Sequence, residues 1–162
     1  MSQAALFTNE QCPPPPRPEW RSEEVLRSAA KALLVKLDTS GDDAEHDVME
    51  AIRYEDDGYR IGRALEDAGW WDMDAEKVDA LDMAGCHKDE AHDALVVAWV
   101  KAWGIVPKIG VGASVRFKWS GATCEGVVHG VDTERAQYVV RGEALGRSAV
   151  FVIFEDAEVI CV

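Results

Sequence analysis

Between Gly85 and Asp93 the chain reads Gly-Cys-His-Lys-Asp-Glu-Ala-His-Asp, which gathers Cys86, His87, His92 and Asp93 into eight residues. All four are metal-ligating types. The spacing works against a shared ion, because His87 and His92 lie five apart. On a helix that offset turns them roughly 140° away from each other, whereas one ion asks for i, i+3 or i, i+4. No second Cys/His cluster occurs to complete a structural site, so the stretch reads as a solvated helix start. Asp38-Thr-Ser-Gly-Asp42 has the look of the start of a calcium loop. Its sixth position is Asp43 where the sharp turn needs Gly, and its twelfth is Met49 where a bidentate Glu belongs. Asp72-Met-Asp-Ala-Glu76 could clamp a cation, but Asp74 as a helix N-cap explains it more simply.

Other catalytic patterns are equally thin. His46-Asp47 and His92-Asp93 are similar to the His-Asp dipeptide of the HD-superfamily phosphohydrolases. Those enzymes also need a separate His and a distant Asp held by a larger helical bundle, and a dipeptide alone assembles no site. Gly-rich phosphate loops, G-x-S-x-G and H-E-x-x-H do not occur. His129 lies among Val127, Val128 and Val131, where a plain strand histidine is expected. The expectation is a non-enzyme without metal or cofactor.

Charge is the informative property. The segment from Asp38 to Asp93 holds 19 of the chain's 30 acidic residues against five basic ones, a balance of −14, while the whole chain of 162 residues carries −13. Residues 1–107 sum to −12 and residues 108–162 to −1. Affinity for nucleic acid comes largely from Lys and Arg neutralising phosphates, so direct binding to DNA or RNA is disfavoured. A basic protein surface would be attracted instead. The four cysteines lack C-x-x-C spacing, the first residues lack a basic and apolar leader, and no window nears the roughly 18 apolar residues of a membrane span. These features point to a soluble, cytoplasmic protein.

The elements that would position this charge follow from periodicity. Cys12-Pro-Pro-Pro-Pro-Arg-Pro-Glu19 favours polyproline II and ends a disordered Pro-rich tail, residues 1–19, that serves as a stiff spacer. Apolar residues then recur at helical spacing over Ser22–Leu37, about Ala44–Arg53, Tyr59–Ala68, from Asp74 to Ala84, and about Lys88–Trp103. Gly69, Gly85 and Gly104 read as helix stops. This defines an acidic helical domain over residues 20–107. From Ile109 the period becomes two, with strands expected near Val115–Trp119, Thr123–Val131, Ala136–Arg141, Ala149–Phe154 and Glu158–Val162. The fold class is therefore α+β.

Four stretches of the last third carry a resemblance. They are Val111-Gly-Ala-Ser-Val-Arg-Phe117, Glu125-Gly-Val-Val-His-Gly-Val-Asp132, Gln137-Tyr-Val-Val-Arg141 and Val152-Ile-Phe-Glu-Asp-Ala-Glu-Val159. Together they resemble a five-stranded SH3-like barrel of the KOW/Tudor kind over residues 108–162. The resemblance implies a binding module for protein or nucleic acid and carries over no catalytic residue. The whole chain looks like a phage or mobile-element accessory protein.

The function expected from these features is occlusion of a basic surface on a host nucleic-acid-handling complex, as an anti-CRISPR would do. Carboxylates on a compact scaffold imitate rows of phosphates and steer association. The residues singled out are Asp56, Asp57, Glu66, Asp67, Asp72 and Asp74, with Trp70 and Trp71 as an apolar anchor that is equally well read as core. The alternative is a barrel-led module in which Arg116, Lys118, Arg135 and Arg141 contact nucleic acid.

Overall fold

A computed structural model describes residues 13–146 and 148–160. Five helices come first: α1 (Glu23–Lys36), α2 (Asp42–Ile52), α3 (Gly58–Asp67), α4 (Ala75–Leu81) and α5 (Ala84–Trp103). Three begin on side-chain caps, in which Ser22, Asp57 and Asp74 accept from Val25 N, Arg60 N and Lys77 N. Each cap satisfies a backbone donor that the first helical turn leaves without a partner. Gly104, left-handed at φ 60°, ends α5 by donating to Val100 O. Gly69 also has a positive φ, as its place after α3 requires. Gly85 differs from expectation: α4 stops at Leu81, and Gly85 lies in the first turn of α5, beside Asp56.

The first core is the inward stripe of α1 and α2 (Leu26, Ala30, Leu33, Val48, Ile52) closed by Ile61, Leu65, Leu81 and Ala84. α3 and α4 cross closely because α3 carries glycine at the contact. A side chain at Gly58 would meet the backbone of Val78 and Asp82, and Gly62 lies against Val78 and Met73.

Five strands follow: β1 (Ser114–Trp119), β2 (Ala122–Asp132), β3 (Gln137–Arg141), β4 (Val150–Ile153) and β5 (Glu158–Val159). They form one antiparallel sheet in the order β4-β3-β2-β1-β5, with a bulge near Val128/Gly130. Val115, Phe117, Val128, Tyr138, Val140, Val150 and Val152 alternate onto one buried face. Among the described residues no ladder joins β4 to β5, so the sheet is open and the closure expected of a barrel is not seen. The α+β class stands.

A third cluster ties helix to sheet. Val96, Trp99 and Val100 of α5 bury against Ala136, with Ile105 and Phe154 alongside. Tyr138, fully buried, accepts from Lys108 N (3.1 Å) and Ile109 N (3.0 Å) and fixes the segment that leads into the sheet. Asp93 on α5 pairs with Arg135 at 2.9 Å.

The proline-rich segment also takes part in this junction. Residues 1–12 of the expected tail lie outside the described residues. Residues 13–19 do not project as a spacer, and the reason is the arginine among the prolines. Arg17 donates to Ala136 O (3.2 Å) and to Arg135 O, and pairs with Glu155. Trp99 Nε1 donates to Pro15 O (3.0 Å), and His92 Nε2 meets Pro18 O (3.1 Å).

Candidate functional site: the acidic face

The eight residues selected from sequence divide by what they already hold. Asp56 pairs with Lys88 Nζ. That ammonium is only 1% exposed and also donates to Ile52 O (2.8 Å) and Glu55 O (3.0 Å), with the Trp20 ring 4.7 Å away. Asp57 and Asp74 are helix caps, and Glu66 pairs with Arg63 (2.8 Å). Asp67 and Asp72 are exposed, and their carboxylates have no partner among the described residues. Asp72 contributes only its backbone oxygen, which accepts from Lys77 Nζ.

The two tryptophans separate. Trp71 is 9% exposed and belongs to the first core, whereas Trp70 is 53% exposed. Their rings lie 4.4 Å apart and tilted by 32°, and both indole nitrogens donate to one oxygen of Asp47, at 2.9 and 3.1 Å. Trp70 is thus an exposed ring that is held rigidly. Asp47 is missing from the sequence-based selection because its value depends on α2 lying beside the 70–71 loop, which no local pattern reveals.

This contact brings two acid rows together. Residues 66–82 hold seven acids against one lysine, a net −6, and residues 42–50 hold five acids and no base, a net −5. Asp47 belongs to the second row and Trp70 to the first. The 53–60 loop, by contrast, is electrically balanced. Glu55 pairs with Arg60 and Asp56 with Lys88, Asp57 caps α3, and Arg21 lies 5.3 Å from the Tyr54 ring, while Arg53 is committed to Glu50. Within the two stretches Glu45 is paired with Arg27 and Lys31, Glu50 with Arg53 and Glu66 with Arg63. Asp67 and Asp72, either side of Trp70 in the chain, are thus the selected carboxylates left without a partner among the described residues.

Two of the four cations singled out on the sheet are engaged. Arg116 bonds Glu125 at 2.8 Å, and Arg135 pairs with Asp93 and Asp132. The bond to Asp93 pushes the Arg135 guanidinium above its ordinary range. Lys118 and Arg141 are exposed, but Glu155, Asp156 and Glu158 border the groove that Arg116 and Lys118 line. Little net positive field remains for a phosphate backbone.

The Cys/His stretch does not converge. Cys86 is exposed, His87 Nδ1 faces Glu90 at 3.3 Å, His92 faces Pro18 O, and Asp93 serves Arg135. His87 Nε2 is buried without a partner. No group of three or more His, Cys, Asp or Glu side chains gathers as a metal site would, among the described residues. No helix among them is long and apolar enough to cross a membrane.

Compared with protein-family models, with curated proteins and with solved structures, the chain matches none.

Proposed function

We propose that this protein is a non-enzymatic binder of a basic protein surface, acting as a small acidic occluder of a host nucleic-acid-handling complex. The setting we propose is the cytoplasm of a cell invaded by a phage or mobile element, with anti-CRISPR-type inhibition as one form of the activity. The observation that carries this reading is Trp70. It is half exposed, held by Trp71 and Asp47, and placed where two acid-rich stretches meet. In these stretches Asp67 and Asp72 hold no ion pair among the described residues, while Glu45, Glu50 and Glu66 do. An exposed aromatic ring held on the Asp47 carboxylate, with Asp67 and Asp72 close by in the chain, suits arginine and lysine side chains, through cation–π contact and charge. The long-range field adds steering, which raises the association rate and makes it sensitive to salt.

The C-terminal sheet we read as SH3-like. Its strand order supports this, because β5 returns to the free edge of β1 after a single 3-10 turn, Phe154–Asp156. In this reading the sheet supports the acidic part and does not contact nucleic acid, since Arg116 and Arg135 pair with carboxylates of the chain's own surface and residues 108–162 sum to −1.

The test is capture of a basic nucleic-acid-binding protein on the tagged full chain, followed by competition with that protein's own DNA or RNA. Asp67→Lys, Asp72→Lys and Glu76→Lys are the reversals to combine, because these carboxylates hold no helix cap and no ion pair among the described residues. The combined variant should lose at least about tenfold in affinity, and Trp70→Ala should lose about 2 kcal/mol, as a hot-spot aromatic does. Retained binding in both variants would reject the acidic face as the contact surface.

A further inference from the structure

We propose that the seam between α5 and the sheet is a recognition groove for proline-rich, arginine-bearing segments of a partner protein. The chain's own residues 13–18 fill this groove as a built-in competitor. The inference is independent of the acidic face, since it rests on different residues.

The ligand chemistry is displayed by the strap itself. Proline fixes φ near about −65° and favours polyproline II, whose carbonyls have no internal donors. That helix repeats every three residues, so the carbonyls of Pro15 and Pro18 fall on one side. The groove supplies one ring nitrogen for each: Trp99 Nε1 to Pro15 O at 3.0 Å and His92 Nε2 to Pro18 O at 3.1 Å. Between them Arg17 lies 5.8 Å from the centre of the Trp99 ring. Its fork reaches two backbone carbonyls at the β2–β3 turn, and Glu155 neutralises it at 3.5 Å. Burial pushes this guanidinium below its ordinary range, and Glu155, Asp156 and Asp93 oppose that shift. The groove thus reads proline carbonyls with ring N–H groups and an arginine with acids.

Two observations make the strap exchangeable rather than a fixed part of the core. Pro13 to Pro16 are all exposed and Pro18 is half-buried, so the burial of the strap is concentrated in the Arg17 side chain, which is 11% exposed. A cavity of about 470 Å³ also lies beside the strap, walled by its prolines together with Trp99, Ile105 and Phe154. That volume is within the range of ligand sites, so the groove is wider than the strap that occupies it. The turn just after Pro18 favours a partner's segment over the strap of a second copy. Ser22 N donates to Glu19 O, and Trp20 Nε1 is anchored on Asp89 at 2.8 Å. Swapping straps between copies would pull on that anchored turn, whereas lifting residues 13–18 for a partner leaves it intact.

A tethered ligand competes at an effective concentration on the order of millimolar, so the occupied groove masks its own affinity. The experiment is an NMR titration of the full chain with the peptide Pro-Pro-Pro-Pro-Arg-Pro-Glu, following the Trp99 indole N–H. The Arg17→Ala chain should bind the peptide at least about tenfold more tightly than the unaltered chain, because its competitor is weakened. Binding should vanish for a peptide with Ala in place of Arg, and, followed at the Ala136 backbone amide, for the chain carrying both Arg17→Ala and Trp99→Phe. If Arg17→Ala does not fold, Arg17→Lys replaces it, since lysine keeps the charge but loses the fork. A folded variant that ignores the peptide, or binds it equally without its arginine, overturns the proposal. Concentration-dependent dimers of the unaltered chain that the peptide dissolves would also overturn it, by making a second copy the occupant.

Discussion

Lys88 occupies a position where a lysine is costly, and the reason it is tolerated lies in its three oxygen partners. It is 1% exposed, yet Ile52 O, Glu55 O and the Asp56 carboxylate take its three N–H groups. The residue pins the loop between α2 and α3 onto α5. Replacing it by methionine keeps much of the volume but leaves two carbonyls and a carboxylate without their donor. Removing one partner of a buried pair costs about 3–5 kcal/mol. Asp56 is 57% exposed and can rehydrate, so the lower end, about 3 kcal/mol, is expected for Lys88→Met in urea unfolding. Asp56→Asn leaves the two carbonyl bonds in place but takes the counter-charge from a buried ammonium, and should cost about 1.5 kcal/mol, less than Lys88→Met. A ratio near one would mean that the charge, not the carbonyl bonds, holds the loop. The pairing also bears on function, because charge reversal at Asp56 would disturb this clamp and imitate a loss of binding. Sequence reading misses this, because residues 85–93 look like a solvated helix start. Lys88 is instead buried on one helical stripe with Ala84 and Ala91. Its acceptors are backbone oxygens 33 and 36 residues away, which no local pattern encodes.

The helices and strands were largely legible because each carries its own periodicity and punctuation. Ser22, Asp57 and Asp74 cap, Gly69 and Gly104 stop, and the change of period at Ile109 marks the sheet. What was not legible is how elements meet. Asp56-Asp57-Gly58 reads as an interruption, while its glycine is there for a close helix crossing. A Cβ at Gly58 would collide with Val78 O and lie 2.7 Å from Asp82 N, both backbone atoms that cannot move aside alone. Gly62, one turn later, would place its Cβ 3.5 Å from a Val78 methyl, an ordinary contact. Two identical substitutions on one helix should therefore have opposite signs. Gly58→Ala should destabilise by about 1–3 kcal/mol through overpacking. Gly62→Ala should stabilise by up to about 1 kcal/mol through helix propensity. Thermal unfolding of the two variants checks this, and a stabilised Gly58→Ala would show that α4 is free to shift away from α3. The proline segment escaped sequence reading for a related reason. Its composition describes an isolated strand of prolines, but Arg17 finds Ala136 O and Glu155 more than 110 residues away.

At the scale of the whole molecule two electrostatic effects act against each other, and salt separates them. The −14 carried by residues 38–93 repels itself, and the surplus is concentrated where α2 and the 66–82 stretch adjoin. Screening weakens that repulsion as the Debye length falls from about 10 Å at 0.1 M salt to about 3 Å at 1 M. The junction between helices and sheet depends on attraction instead, through Arg135 with Asp93 and Arg17 with Glu155. Arg135–Asp93 is an exposed pair, of a kind that contributes little and that salt weakens, whereas Arg17 is 11% exposed and its pair with Glu155 is screened less. Repulsion among many like charges should outweigh these two pairs, so the melting temperature is expected to rise by several degrees between those salt concentrations. The variant carrying Asp67→Lys, Asp72→Lys and Glu76→Lys tests the cause. Each reversal changes the charge by two, so three take the chain from −13 to −7, and the rise with salt should shrink by about half. Hydrogen exchange followed in the same series should show the opposite trend at the seam, with the amides of Ala136 and Phe154 opening more readily at high salt while those of α1 become better protected. A melting temperature that falls with salt would mean that the seam pairs govern stability and that the acid field is already offset within the fold. The acidic face would then exert little pull on a basic partner, and the same measurement would weaken the proposed function along with the stability argument.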